Sequence, residues 1–514
     1  MPKFRSNLNF ATQYLSKKQG YAIGIENFVF IREETTPGVF NPPQIGTQGK
    51  STSGTTPSTD LSAGTDVNLR VAVDGGAVVT ATLLSVATLS TATLIAAALE
   101  TAINLALNVA SQDARVWVEF AAGKYVVWSQ KADSTSLVVI TNGLTLNVAD
   151  DLKLGLANTG AEVVGLRGTD FVCATKSSLK RSQPFEKSKC RSGRQALDII
   201  KKKIVAEGDL EMYVSMNTAS ATPEIDLAVA TLLEQIFGKK TVTASEIKFD
   251  SSQPQTKYFS VVQGNNIFSR VLNGGYAKSW TLTLPGDGEA MVKFGLKGQE
   301  VKEASVVSVP TVVLNSVNVV ATVGESDKAD VGAVVMVVDA DGRTVLFGAT
   351  GTLTIVSRND TTNTIVLSSP VSIPAGGFLT GWMPHVFGFS EVGSPVTGLE
   401  GSVSFDGGAT TIEEIRSVEL MFDPKVEDLD GYYGADGNRG YVVGDRSDIK
   451  AKVEMNLSAS QYDLIVQAKA FTSFAMKFVL GPVGGRRLEV IMPKVIYTSP
   501  AVELPDTEIG RAHV

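Results

Sequence analysis

The sequence predicts a mainly β protein of the α+β kind: a β-sandwich or barrel with one packed helix, interrupted by an inserted small α+β domain and an inserted small β-barrel domain. Three observations carry this. Gly is frequent (48) while aromatics are only 7% of 514 residues, which suits many turns and short strands. Apolar and polar residues alternate with period two through most patterned segments, as half-buried strands require. In residues 208–298, around which the rest is organised, one capped helical stripe sits among such strands.

Residues 1–20 are polar, an arm or a short helix, and Lys3 and Arg5 precede no apolar core of a signal peptide. Residues 21–31 form a strand. Glu33-Glu34-Thr35-Thr36-Pro37-Gly38 turns, and Asn41-Pro42-Pro43 stops regular structure. Residues 44–65, rich in Gly, Ser, Thr and Pro, read as a linker. The first insertion, 46–164, runs strand 67–73, turn Asp74-Gly75-Gly76, strand 78–84, Ala-rich helix 91–107, hairpin strands 114–120 and 124–129, and strand 137–141. A short helix or turn follows at 147–156. Its order is similar to a small domain often inserted in phage tail and related surface proteins.

Residues 173–203 are strongly basic. Lys176, Lys180, Arg181, Lys187, Lys189, Arg191, Arg194, Lys201, Lys202 and Lys203 stand against Glu186 and Asp198. The plain reading is a solvated loop leading into a strand; the sharper one is an extended loop that pairs with an acidic surface of a neighbouring subunit. Nucleic-acid binding is disfavoured, because no aromatics interleave as stacking platforms. A strand then alternates Leu210, Met212, Val214 and Met216 with Glu211, Tyr213 and Ser215. Thr222 caps a helix, Pro223 occupies its first position, and Glu224 and Asp226 suit its positive end. Ile225, Val229, Leu232, Leu233, Ile236 and Phe237 form one apolar stripe, and Gly238 ends it. Strands follow at 258–262, 267–272, 278–284 and 289–297, the last two joined by Pro285-Gly286-Asp287-Gly288.

The second insertion, 304–385, has Val-rich strands at 312–319, 333–339, 344–347, 353–357 and 364–368. The earlier style then resumes with strands 401–405 and 415–422, an acidic Gly-rich loop 427–440, strand 449–457 and a short helix 460–471. Strands 474–480 and 487–497 close the chain, with Pro493 marking an edge or bulge. The domain organisation is therefore 1–45, 165–303 and 386–507 as one discontinuous domain, plus the two insertions. Residues 508–514 read as what a common sequencing-library adapter encodes, and are set aside.

The net charge of -7 argues against a nucleic-acid-gripping surface. Cys173 and Cys190 are no disulfide scaffold, and a reducing cytoplasm is the natural place of assembly. No apolar run is long enough to span a membrane. His385 and His513 leave no Ser-His-Asp or Cys-His set, and there is no Walker loop and no GxGxxG after a strand. Asp428, Asp430 and Asp436 lack the ligand ladder of an EF-hand, so a solvated loop is favoured over calcium. No catalytic residue, cofactor or metal site is expected.

Four segments in this order resemble a bacteriophage major tail tube protein. They are residues 22–43 with Glu-Glu-Thr-Thr-Pro-Gly, and 204–238 with strand, Asn217-Thr218-Ala219 loop and helix. The others are 258–298 with Asn273-Gly274-Gly275, and 401–497 with Met492-Pro493-Lys494-Val495-Ile496-Tyr497. The resemblance implies rings of six copies, their sheets joined into an inner barrel, stacked as a conduit for DNA. It also implies tape-measure, tail-tip and tail-terminator partners, a place in the virion tail, and assembly in the host cytoplasm. By resemblance, basic residues 177–195 reach the next ring. Two outward-pointing insertions favour a long non-contractile tail. The alternative is a tail sheath or other tail or fibre component whose insertions bind the host surface, for which Trp117 and Trp128 are the first insertion's only aromatic platforms.

Overall fold

The computed structural model describes residues 28–503 and 511–513, apart from single residues and short gaps. The larger gaps are 44–47, 130–134, 166–169, 188–190, 217–226, 341–344, 349–351, 383–393, 396–400, 406–409, 430–439, 444–447, 457–472, 481–487 and 497–500. The chain is mainly β. It enters the body with β1 (Phe28–Glu33) and leaves through the first insertion, which holds α1 (Ala92–Val109). It returns as β2 (Ala174–Ser182), β3 (Val205–Tyr213), α2 (Leu227–Phe237), β4 (Phe259–Gly264), β5 (Phe268–Pro285), β6 (Met291–Gly298) and β7 (Glu300–Ser305). After the second insertion come β8 (Gly401–Phe405), β9 (Ile415–Asp423), β10 (Asp448–Asn456), β11 (Phe474–Leu480) and β12 (Leu488–Val495).

The main sheet runs β2-β3-β6-β5-β9-β10, all antiparallel neighbours. One face is apolar: Leu210 and Met212, Phe294 and Leu296, Leu282 and Leu284, Leu420 and Phe422 are buried. A second sheet containing β8, β11 and β12 shares that core through Val403, Met476, Phe478 and Met492. Helix α2 packs on it as well. Leu232 and Ile236 are buried, Val229, Leu233 and Phe237 are partly buried against the same cluster, and Phe237 meets Trp280 at 5.5 Å and Phe422 at 4.8 Å. Gly238 ends the helix with φ +93, a conformation that favours glycine. The predicted cap at Thr222, the residues Pro223, Glu224 and Asp226, and Ile225 lie outside the described residues.

β5 corrects the sequence reading. Instead of two strands broken at Asn273-Gly274-Gly275, it is one strand of 18 residues. Its first half pairs with β4 and β7, its second half with β6 and β9, so it belongs to two sheets. The glycines bend the strand without ending it. Gly274 has φ +61, and a Cβ on Gly275 would lie 2.6 Å from the Phe259 carbonyl oxygen. The pairing slips between Phe259 and Val261 and again between Ala277 and Ser279. Two backbone N–H groups near these slips are taken by side chains from elsewhere. Gly274 N donates to Glu34 Oε1 (2.7 Å), and Ala277 N donates to Gln235 Oε1 (2.8 Å).

The first insertion corrects the linker reading of 44–65. Lys50–Thr52 is an inner strand between Lys124–Ser129 and Ala161–Val163. Small polar residues are there because the space is small. Ser51 and Ser53 are buried, and a Cβ on Gly49 would lie 2.2 Å from Ser136 O. Thr91 caps α1 by accepting from Leu94 N. By length and composition α1 could cross a membrane, contrary to the sequence expectation, yet Ile95, Leu99, Ile103 and Leu107 are buried within the insertion's own core.

The second insertion forms two sheets, of four and three strands, and neither closes into a barrel. The sequence missed its first and last strands, Val307–Val309 and Gly377–Gly381, which pair with each other. It is also welded to the body. Phe30, Val262 and Val271 share a cluster with Val334, Met336, Phe378 and Trp382, and Trp382 meets Phe30 at 6.0 Å and Phe40 at 5.9 Å. The predicted helix at 460–471, Cys173, Cys190 and His385 lie outside the described residues. The backbone of Arg511–His513 pairs with the end of β10.

Two stability predictions follow from this packing. Gln235→Leu strands the Ala277 N–H and should cost about 1–3 kcal/mol in chemical denaturation. Trp382→Ala should cost about 3–5 kcal/mol. An unchanged denaturation midpoint for either would contradict the packing that motivates it.

Candidate assembly surface

The basic segment is a β-arm rather than the loop of either sequence reading. β2 and β3 pair from Ala174 to Ser182, and the same antiparallel pairing continues outward. Phe185–Lys187 pairs with Ile199–Lys201, then Arg191–Ser192 with Gln195–Ala196. Lys180 and Arg181 lie on β2 at its root, Lys187 on the middle pair, and Arg191 near the tip, whereas Lys176 lies toward the other end of β2, opposite Glu211. Lys189 and Arg194 lie outside the described residues.

The main sheet's second face is polar, because every second residue of each strand points away from the core. Its charges sit in pairs of opposite sign, across strands or along one strand. Lys180 Nζ lies 2.9 Å from Glu207 Oε1, Lys278 Nζ lies 3.8 Å from Glu207 Oε2, and Lys293 Nζ lies 3.8 Å from Asp209 Oδ1. On β10, Lys452 meets Glu454 at 2.9 Å and Lys450 meets Asp448 at 3.1 Å. Ser279, Thr281 and Thr283 lie between these columns. The hydrogen bond from Lys180 holds the Glu207 carboxyl below its ordinary range, and the same contact raises Lys180. Such exposed pairs contribute about 0–1 kcal/mol each. Their larger effect is that neither sign forms an uncompensated row.

The two edges of this sheet differ. On β2, Ser177 O accepts from Gln263 Nε2 and Leu179 O accepts from Arg270 Nη1, both at 3.1 Å, so side chains cover that edge. On β10, residues 448–453 have no further strand beside them among the described residues. Among the described residues β12 pairs only with β11, and its register slips around Pro493 as an edge strand allows.

A small hairpin, Val426–Asp428 with Tyr441–Val443, closes over the end of β5 and β6 from which the arm springs. Asp428 accepts from Tyr276 Oη (2.5 Å) and Lys297 Nζ (2.8 Å), so this carboxylate is committed to the fold rather than to calcium. Asp430 and Asp436 lie outside the described residues, and the described residues contain no metal-binding group of acids, His or Cys. Trp117 and Trp128 stack at 5.4 Å on the first insertion's outer sheet face. Their indole N–H groups donate to Gln48 and Glu119, and Lys50 covers Trp128.

A family model described as phage tail tube protein matches residues 179–377. The chain is similar to phage tail tube proteins. That similarity places it among structural proteins of the phage tail. The match covers about two fifths of the chain, starting in β2 and running through most of the second insertion. It therefore includes the arm, α2 and all of β5, and it covers two of the four segments that carry the tail tube resemblance, 204–238 and 258–298, but not 22–43 or 401–497. No curated protein matches the chain.

Sequence reasoning missed the two anchors of β5. Glu34 sits in the turn read from Pro37-Gly38, but nothing local indicates that its carboxylate is buried. It accepts from Gly38 N (2.6 Å), Gly274 N (2.7 Å) and Ser260 Oγ (2.8 Å). Burial outweighs these bonds and raises its pKa above the ordinary 4.5. A raised folded value means that the folded state takes up the proton first. Glu34's contribution is therefore fully present below about 4.5 and lost as pH rises through the folded value. Compared with Glu34→Gln, the wild type should gain melting temperature as pH falls toward 4.5. A difference that is flat or of opposite slope would overturn this.

Proposed function

We propose that this chain self-assembles into stacked rings, hexameric by family resemblance, that form the phage tail tube through which the genome is delivered. The single observation that carries the reading is the tail tube family match over the arm, α2 and β5. The role is structural rather than enzymatic.

The architecture supports it. A ring closed by head-to-tail contacts needs two different lateral surfaces on each subunit. The main sheet offers a side-chain-covered edge at β2 and, among the described residues, an edge at β10 open over residues 448–453. Its apolar face is already covered, which leaves the polar face to line the lumen. There, Lys180, Lys278 and Lys293 are each matched to a carboxylate. Passing DNA phosphates meet no unpaired cationic track, and binding through counterion release is weak. The arm, with Lys176, Lys180, Arg181, Lys187, Lys189, Arg191 and Arg194, contacts the next ring. Tape-measure, tail-tip and tail-terminator proteins are the further partners. The place of action is the virion tail, after assembly in the host cytoplasm.

Negative-stain microscopy of the concentrated full chain, with and without tail-tip proteins, tests this. Rings or tubes with outward knobs from the first insertion are expected. Monomers under both conditions would overturn the proposal.

A further inference from the structure

One sheet of the first insertion turns a row of aromatic and polar side chains away from the insertion's core. Its strands run Val116–Ala121, Lys124–Ser129, Lys50–Thr52 and Ala161–Val163, all antiparallel neighbours. Val116, Val118, Tyr125 and Val127 face the core. On the other face the register sets Trp117 opposite Trp128, Trp128 opposite Lys50, and Lys50 opposite Val163. One step along, Glu119 and Thr52 flank Val126. The two indoles are parallel within 8°, with centroids 5.4 Å apart. Parallel rings in contact are offset at that spacing, so neither covers the other completely. The Lys50 ammonium takes up Trp128, 4.4 Å from its ring centroid. Among the described residues no second ring and no cation lies on Trp117, which is partly exposed. The other two tryptophans, Trp280 and Trp382, are buried.

The polar groups around the rings are held in place. Trp117 Nε1 donates to Gln48 Oε1 and Trp128 Nε1 donates to Glu119 Oε1, both at 3.1 Å. Among the described residues Lys50 meets no carboxylate, and nothing donates to the second Glu119 oxygen. A further strand does not add beside Trp117, because Asn104 and Glu100 of α1 already bond the outer edge at Val116 and Val118. We infer that this row binds a neutral hexopyranose unit of a polysaccharide, with the sugar's C–H face on Trp117 and its hydroxyls on Lys50 and Glu119. A hydroxyl both donates and accepts, so adjacent hydroxyls satisfy an ammonium and a carboxylate together. An anion would meet Glu119 and a cation would meet Lys50, so a neutral polyol complements the pair better than a ligand of either sign. An apolar platform with a few fixed polar groups is the usual composition of a small-molecule site. The inference does not rest on the tube reading. In stacked rings the site repeats on every copy, and weak single contacts add up along one polysaccharide chain.

Titration of the full chain with methyl β-D-glucopyranoside, followed by tryptophan emission, tests this. With Trp280 and Trp382 buried, a saturable change reports on Trp117 and Trp128. Trp117→Ala should weaken binding at least about tenfold. Trp117→Tyr, which keeps an aromatic face, should bind more tightly than Trp117→Ala. Lys50→Met, which keeps an apolar cover on Trp128, should weaken binding as well. Glucuronate, a sugar of the same ring shape with a negative charge, should bind no more tightly than the glucoside. A second measurement does not depend on the variants folding: saturation-transfer NMR with the wild-type chain should saturate the C–H protons of the glucoside ring. No saturable change in the wild type, an equal response in Trp117→Ala, tighter binding of glucuronate, or no transfer to the ring protons would each overturn the assignment.

Discussion

The fold depends on β5 staying one strand while it changes sheets. A strand of 18 residues is about three times the usual length. It can serve two sheets only if it bends, and bending leaves backbone groups out of register with both neighbours. An unpaired buried N–H costs about 1–3 kcal/mol, so the bend persists only where something else accepts those protons. Glu34 and Gln235 do so, one from the turn after β1 and the other from α2. The helix and the first strand are thus held to β5 by specific polar bonds as well as by apolar packing. β6 and β7 follow the same bend across Gly298 and Gln299, where a Cβ on Gly298 would lie 2.4 Å from Leu272 Cδ1.

This constraint organises the surfaces. Because the bend carries β1, β4 and β7 out of the main sheet, they pack against β2. Gln263 of β4 and Arg270 of β5 reach the β2 carbonyls. One edge of the main sheet is covered for that reason, while β10 at the other end keeps six residues without a neighbouring strand among the described residues. The second insertion is fixed by the same geometry. It begins where β7 ends, and Trp382 returns to Phe30 on β1, so its orientation is set by the body's own aromatic contacts. The first insertion has a separate core, and its described residues contribute nothing to the body's clusters.

Much of this was legible in the sequence where the pattern was local. Alternation located β3, β6, β9, β10 and β11 within a few residues. The stripe Val229, Leu232, Leu233, Ile236 and Phe237 gave the face of α2, and Thr91 gave the start of α1. The failures share a physical cause. Asn273-Gly274-Gly275 reads as a break because a glycine at positive φ is the same local signal in a turn and in a bulge; only the neighbouring strands distinguish them. Residues 44–65 read as a linker because buried Ser and Gly are chosen for close approach, and composition alone does not separate that from solvent exposure. The arm was read as a loop because its charges hide a weak alternation. Its strand character depends on continuing the β2–β3 register. A buried carboxylate such as Glu34 leaves no local trace, because its partners are up to 240 residues away in the chain.

The distribution of charge is then a consequence of topology rather than of net composition. A chain of net charge -7 still carries a strongly basic ribbon, because the excess of acid is placed elsewhere. Along the polar face Lys180, Lys278 and Lys293 meet carboxylates across strands, and Lys450 and Lys452 meet carboxylates two residues away on β10, so that face is close to neutral at short range. The matching continues to the end where β3 and β10 terminate: Glu211 lies opposite Lys176 and Lys293, and Glu454 meets Lys452 at 2.9 Å. Screening limits such charges to about a Debye length, so they matter only at contact with a like-sized surface. A face whose charges are matched at short range is close to neutral, whatever the net charge of the chain.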